Sequence, residues 1–338
     1  MDRDRAARDR KFDSEIFDHP ELLRPFVYAE MRQGTDINVY KALKRFFEYG
    51  PLIESDVNFF ASFYPKSEIH DATLLTNFLD ISPDQGDVPL PSGEDISRAI
   101  DSSLTVEGLQ ELLRLRESTL YFVPQVSPVR IEQAILKRLT GFRKSYQLGF
   151  EEQSKAREIA RSQHDNRIRG WDLMIGECTP IMHTRDIHQR PLPDWDSRQS
   201  SLPERITAFR KRYSNSGLQM MTVNDYLMTI LDGCELQLFL DSDQNSEADH
   251  TLFTILDASS HQTGGQNDPY LGFCTTNITA SQPGCMTGIT GKVPPISPQA
   301  MFRPCFRVSI TPSDQAIQPV ESLLGNLRKA IEKFFRVR

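Results

Sequence analysis

Long apolar runs are missing from this chain of 338 residues. Nothing in it approaches the roughly 18 consecutive apolar residues of a membrane-spanning helix. The segment Met1–Lys11 has no apolar stretch, so it does not read as a secretory signal. There Arg3, Arg5, Arg8, Arg10 and Lys11 stand against Asp2, Asp4 and Asp9, the composition of a disordered mixed-charge tail, expected over 1–14. Cysteine is sparse. The five residues Cys178, Cys234, Cys274, Cys285 and Cys305 are odd in number, lie in the second half and form no Cys-x-x-Cys. This reads as free thiols in a reducing compartment, and a soluble cytoplasmic protein is the expectation. Catalytic signatures are also missing: there is no His-Glu-x-x-His, Gly-x-Ser-x-Gly, Gly-x-Gly-x-x-Gly or kinase pattern.

A basic footprint over the whole chain is absent as well, since the net charge is -7. The charge is locally uneven. Residues 50–126 hold 4 basic and 13 acidic side chains, a net of -9, and residues 127–170 hold 10 and 5, a net of +5. The plainer reading is that the two blocks attract each other within one fold.

The first half is patterned for helices. Asn38–Tyr49 places Val39, Leu43, Phe46 and Phe47 on one face before Gly50-Pro51. Ser55 or Asp56 is placed to cap a short helix ending near Phe63, and Asp71–Leu79 continues the periodicity. Ser82–Asp95 is rich in Pro, Gly and acid and reads as a loop. Thr105–Glu117, the segment from Ser127-Pro128 to Gly141, and Glu151–His164 read as further helices. Tyr121–Val123 and Trp171–Ile175 read as strands.

The second half is patterned differently. Pro203–Tyr213 is a basic helix and Leu218–Met221 a short strand. Thr222 with Asp225 three residues on forms a carboxylate capping box for a helix ending at Gly233. Cys234–Leu240, Thr251–Asp257, Tyr270–Thr276 and Phe302–Ile310 read as strands. Val320–Val337 is an amphipathic closing helix. The expected fold class is α+β: a mainly helical region over 15–180, a connection over 181–202, and a mixed domain over 203–338 with an antiparallel sheet and that C-terminal helix.

Three sets of residues carry candidate chemistry. Glu177, Cys178, His183, Asp186 and His188 follow a strand and are of metal-ligand type. In a metal-dependent hydrolase His183, Asp186 and His188 would hold Zn²⁺, Glu177 would be general base and Cys178 an alternative fourth ligand; as a thiolate paired with His183, Cys178 would instead be a nucleophile. The loop spacing fixes no geometry, and Arg185 would repel a cation. Second, Lys137, Arg138, Arg143 and Lys144 head a run of ten basic residues from Arg130 to Arg169, interleaved with Phe142, Tyr146 and Phe150. Such a run suits phosphate neutralisation and base stacking. Third, the acidic stretch from Asp241 to Asp249 fails the calcium-loop pattern, having Ser246 where glycine is required. Gly284–Lys292 likewise lacks the phosphate-loop spacing. With no complete signature, the leading expectation is a non-catalytic binding or interaction protein with a protein partner. A metal-dependent hydrolase and a nucleic-acid-associated protein are the alternatives.

Overall fold

The computed structural model describes residues 24–33, 43, 50–67, 78–115, 118–139, 146–148, 166–177, 202–232, 250–257, 270–279, 282–290 and 300–310. The class is α+β, as expected. Helices α1 (Arg24–Gln33), α2 (Glu54–Ser67), α3 (Gly93–Ser103) and α4 (Val106–Arg114) precede strand β1 (Ser118–Pro124). Helix α5 (Pro128–Leu139), β2 (Tyr146–Leu148) and β3 (Trp171–Glu177) follow. Then come α6 (Leu202–Arg212), β4 (Gln219–Met220) and α7 (Val223–Asp232). Strands β5 (His250–Leu256), β6 (Tyr270–Thr279), β7 (Gln282–Thr290), β8 (Ala300–Met301) and β9 (Pro304–Ile310) complete the described elements. No described helix is long and apolar enough to cross a membrane.

Two sheets result. The first has the order β1-β3-β9-β4, all antiparallel. Strands β1 and β3 come before residue 178 and β4 and β9 after residue 202, so the ladder joins both halves of the chain. The second sheet has the order β2-β7-β6-β5-β8, an antiparallel meander flanked by two short parallel strands.

Antiparallel sheets commonly leave one face to water, and their strands then alternate apolar with polar residues. The first sheet departs from this rule. Leu120, Tyr121, Phe122 and Val123 are buried in succession on β1, as are Leu173, Met174 and Ile175 on β3. Both faces are therefore covered. Helices α3 and α4 pack on β9 at one face. Helix α7 packs on β1 at the other, with α5 along its flank. Trp171, fully buried, closes one strand end and donates its indole N–H to Val88 O at 3.0 Å.

The helix starts follow the capping chemistry in the sequence, with two corrections. Thr105 caps α4 by accepting from Gly108 N at 3.0 Å. Asp56 is not the cap of α2. It lies in the first turn, as the third helical residue, where its carboxylate accepts from Ile53 N at 2.8 Å, and the helix continues past Phe63 through Pro65 to Ser67. Proline's fixed φ suits a helix, and near the C-terminal end it gives up a single hydrogen bond. The expected loop Ser82–Asp95 gives way to α3 at Gly93. Ser92 and Asp95 form a reciprocal capping box, with Asp95 N donating to Ser92 Oγ and Ser92 N to the Asp95 carboxylate. Strand β7 occupies most of the glycine-rich Gly284–Lys292 and pairs along its length with β6.

Several expectations fall outside the described residues: most of the Asn38–Tyr49 helix, the Glu151–His164 helix, the Cys234–Leu240 strand and the Val320–Val337 helix.

Candidate functional site

The densest set of buried polar groups lies where the first sheet meets the start of α7. Alternation along β9 places Cys305, Arg307 and Ser309 on one face. In register they stand beside Gly176, Met174 and Asp172 of β3, and Cys305 stands opposite Gln219 of β4. The N-terminus of α7 covers this face. The capping box read from the sequence is present: Thr222 N donates to Asp225 Oδ2 at 2.7 Å, and Asp225 N to Thr222 Oγ1 at 3.3 Å.

Asp225 is fully buried. Arg307 Nη1 reaches Asp225 Oδ2 at 3.4 Å, while Arg307 Nη2 donates to Gln219 Oε1 at 3.2 Å. Asp225 Oδ1 is buried and has no hydrogen-bond partner among the described residues. Burial pushes the Asp225 carboxyl above its ordinary range. Arg307 and the Thr222 donors oppose that push, and Asp172 adds to it. Asp172 itself accepts from Ser309 Oγ at 2.6 Å and Gln125 Nε2 at 2.7 Å. Asn224 anchors the first turn of α7 to the end of β1, donating to Val126 O at 2.9 Å.

Cys305 is completely buried, and its thiol lies 3.5 Å from Gln219 O. Burial pushes it well above its ordinary value. Asp225 and Asp257 push the same way, and Arg307 opposes them. A nucleophilic or metal-binding cysteine works as the thiolate, in electropositive and accessible surroundings. Cys305 has the opposite surroundings and acts as a small apolar filler. Gly176 faces it so closely that a Cβ there would lie 2.9 Å from Cys305 Cβ.

A second buried pair is built into the loop before α3. Arg130 of α5 grips Asp87 with both terminal nitrogens, at 2.8 and 2.7 Å. It also donates to the carbonyls of Leu79, Asp80 and Asn166. Asp87 accepts in addition from Ser82 N and Ile168 N. The Arg130 hydrogen bonds, aided by those backbone donors, hold its carboxyl down at about 2. A third buried carboxylate, Asp56, accepts from Arg24 Nε at 3.2 Å and from the Tyr28 hydroxyl.

The residues singled out in the sequence are placed as follows. Glu177 ends β3, opposite Ser118. Cys178, His183, Asp186 and His188 lie outside the described residues, as do Arg143 and Lys144. Lys137 pairs with Asp80 at 2.6 Å across a largely exposed contact. Arg138 donates to Leu231 O and stands 5.8 Å from the centre of the Phe78 ring. Among the described residues, no three His, Cys, Asp or Glu side chains are grouped to hold a metal ion.

Sequence reasoning read Thr222 and Asp225 as a cap but missed Arg307 as the partner, and it missed Asp87 with Arg130. One signal was present: the strand-like run Phe302–Ile310 sets two arginines, Arg303 and Arg307, among apolar residues, which implies a buried counter-charge. No known protein family, curated protein or solved structure matches this chain.

Proposed function

We propose that this chain is a non-catalytic binding or interaction protein with a protein partner. One observation supports the reading: four of the five buried carboxylates among the described residues, Asp56, Asp87, Asp95 and Asp225, each bind a backbone N–H group and an arginine, which ties them to the architecture. Catalytic acids and bases are instead poised toward a substrate, with values tuned near the working pH. Asp87, held near 2, is far from that range. The basic segment is partly committed to the fold in the same way. Arg130, Lys137 and Arg138 are turned to Asp87, Asp80 and Leu231, leaving fewer of its charges for phosphate.

The test is affinity purification of the tagged chain without chelator, followed by mass spectrometry and elemental analysis. The expected result is a stoichiometric protein partner and under about a tenth of an equivalent of transition metal. A chain recovered alone with one equivalent of zinc, lost in His183→Ala with His188→Ala, would replace the proposal with the hydrolase reading. Tight, salt-sensitive binding to DNA or RNA would replace it with the nucleic-acid reading.

A further inference from the structure

The two sheets meet at a joint built around Asp225. Gln219 and Met220 pair with β9 of the first sheet. Immediately afterwards Met221 O accepts from Asp257 N at 2.8 Å, and Thr222 bridges to Asp257, the residue that follows β5 of the second sheet. The Thr222 amide is then held by Asp225 Oδ2. One carboxylate thus fixes the residue that carries the link between the sheets.

We propose that this joint is linked to a proton: it is closed while Asp225 is neutral and opens more readily once Asp225 ionises.

The geometry carries the direction. Asp225 is fully buried, so its ionised form loses the hydration an open joint would supply. Oδ1 has no donor among the described residues, and the counter-ion Arg307 is 3.4 Å away with its other nitrogen given to Gln219. A buried charge with incomplete pairing favours states in which it reaches water. The other charges around Asp225 do not complete the pairing. Asp172 of β3 repels it, and Asp257 stands across the joint with the same sign. On α5, Arg138 is bound at Leu231, the far end of α7, and Glu132 is acidic. Arg303, ahead of β9, sits over the ring of Tyr226. Strands β1, β4 and β6 carry no Asp, Glu, Lys, Arg or His. The upward push on the carboxyl from burial agrees with this geometry. With the closed-state value raised, the ionised fraction grows first in the open state. Opening then increases with pH, from an unfolded-type value of about 3.9 up to the raised value.

Hydrogen exchange of the full chain, read by mass spectrometry between pH 4 and 8 and corrected for intrinsic exchange, tests this. The peptides containing Thr222 and Asp257 should lose protection by up to about tenfold per pH unit across the titration, then level off. Asp225→Asn, which keeps the shape and carries no charge, should hold constant protection at both amides. The same pH dependence in wild type and Asp225→Asn overturns the proposal. So does wild-type protection that does not change with pH. Should Asp225→Asn fail to fold, Arg307→Gln supplies the second arm. Loss of the counter-ion raises the closed-state carboxyl further, so the pH at which opening levels off must move up while its onset stays near about 3.9. An unmoved upper end overturns the joint.

Discussion

Arg130 reaches five oxygens drawn from three stretches of chain: both carboxylate oxygens of Asp87, and the carbonyls of Leu79, Asp80 and Asn166. Its guanidinium has five donors in a fixed fork, which is why no lysine could replace it. Removing the arginine leaves a buried carboxylate without its counter-charge. Arg130→Met should therefore cost about 3–5 kcal/mol in urea denaturation. Lys137→Ala should cost under about 0.5 kcal/mol, because the Lys137–Asp80 pair is exposed and solvent-screened. Similar costs for the two variants would show that burial does not separate them. Both pairs cross between the acidic and basic blocks, so the mutual attraction of the blocks was legible from charge counts alone. Which of ten basic residues would be buried was not legible. That depends on where loop carbonyls converge, and a linear pattern does not encode convergence.

Elements were legible where local chemistry decides them. Ser127-Pro128 starts α5, Thr105 caps α4, and Thr222 with Asp225 starts α7. The two misses have physical reasons. Helix α3 begins inside a Pro-, Gly- and acid-rich stretch whose average composition hides a complete capping box at Ser92 and Asp95. Strand β7 carries two glycines and a proline, which weaken a strand by local preference, and its pairing with β6 is tertiary. Two substitutions test the helix starts. Ser92→Ala should cost about 1 kcal/mol by removing the cap. Gly108→Ala has two opposed terms: alanine gains about 1 kcal/mol of helix propensity, while overpacking costs about 1–3 kcal/mol. The added Cβ would lie 2.6 Å from Ser216 O, a backbone atom, so the second term should win and the melting temperature should fall. A raised melting temperature would show that the turn at Ser216 yields freely.

For the whole molecule, the titrating groups that are perturbed by folding set the two limbs of the stability profile. On the acid side Asp87 is held at about 2, below its unfolded value of about 3.9. Its contribution is fully present above about pH 3.9 and is lost as the pH falls through about 2. On the alkaline side Cys305 and Tyr28 are both pushed up, chiefly by burial, and Asp56 adds to the push on Tyr28. Above about pH 8.5 for a thiol and about pH 10 for a phenol, the unfolded chain releases protons that the folded chain keeps. Stability then falls as the pH rises. Asp225 adds a decline between these limbs, starting near about pH 4 and ending at its raised folded value. The melting temperature should therefore rise from pH 2 to about 4, fall as Asp225 ionises in the unfolded chain and drop again above about pH 8.5. Asp87→Asn should flatten the acid limb alone. Cys305→Ala should delay the alkaline drop toward about pH 10, where Tyr28 takes over, whatever it does to the absolute melting temperature. Calorimetry across pH 2 to 10 on the three proteins reads both limbs. A wild-type melting temperature that keeps rising to pH 10 would be incompatible with a buried neutral thiol in the native fold.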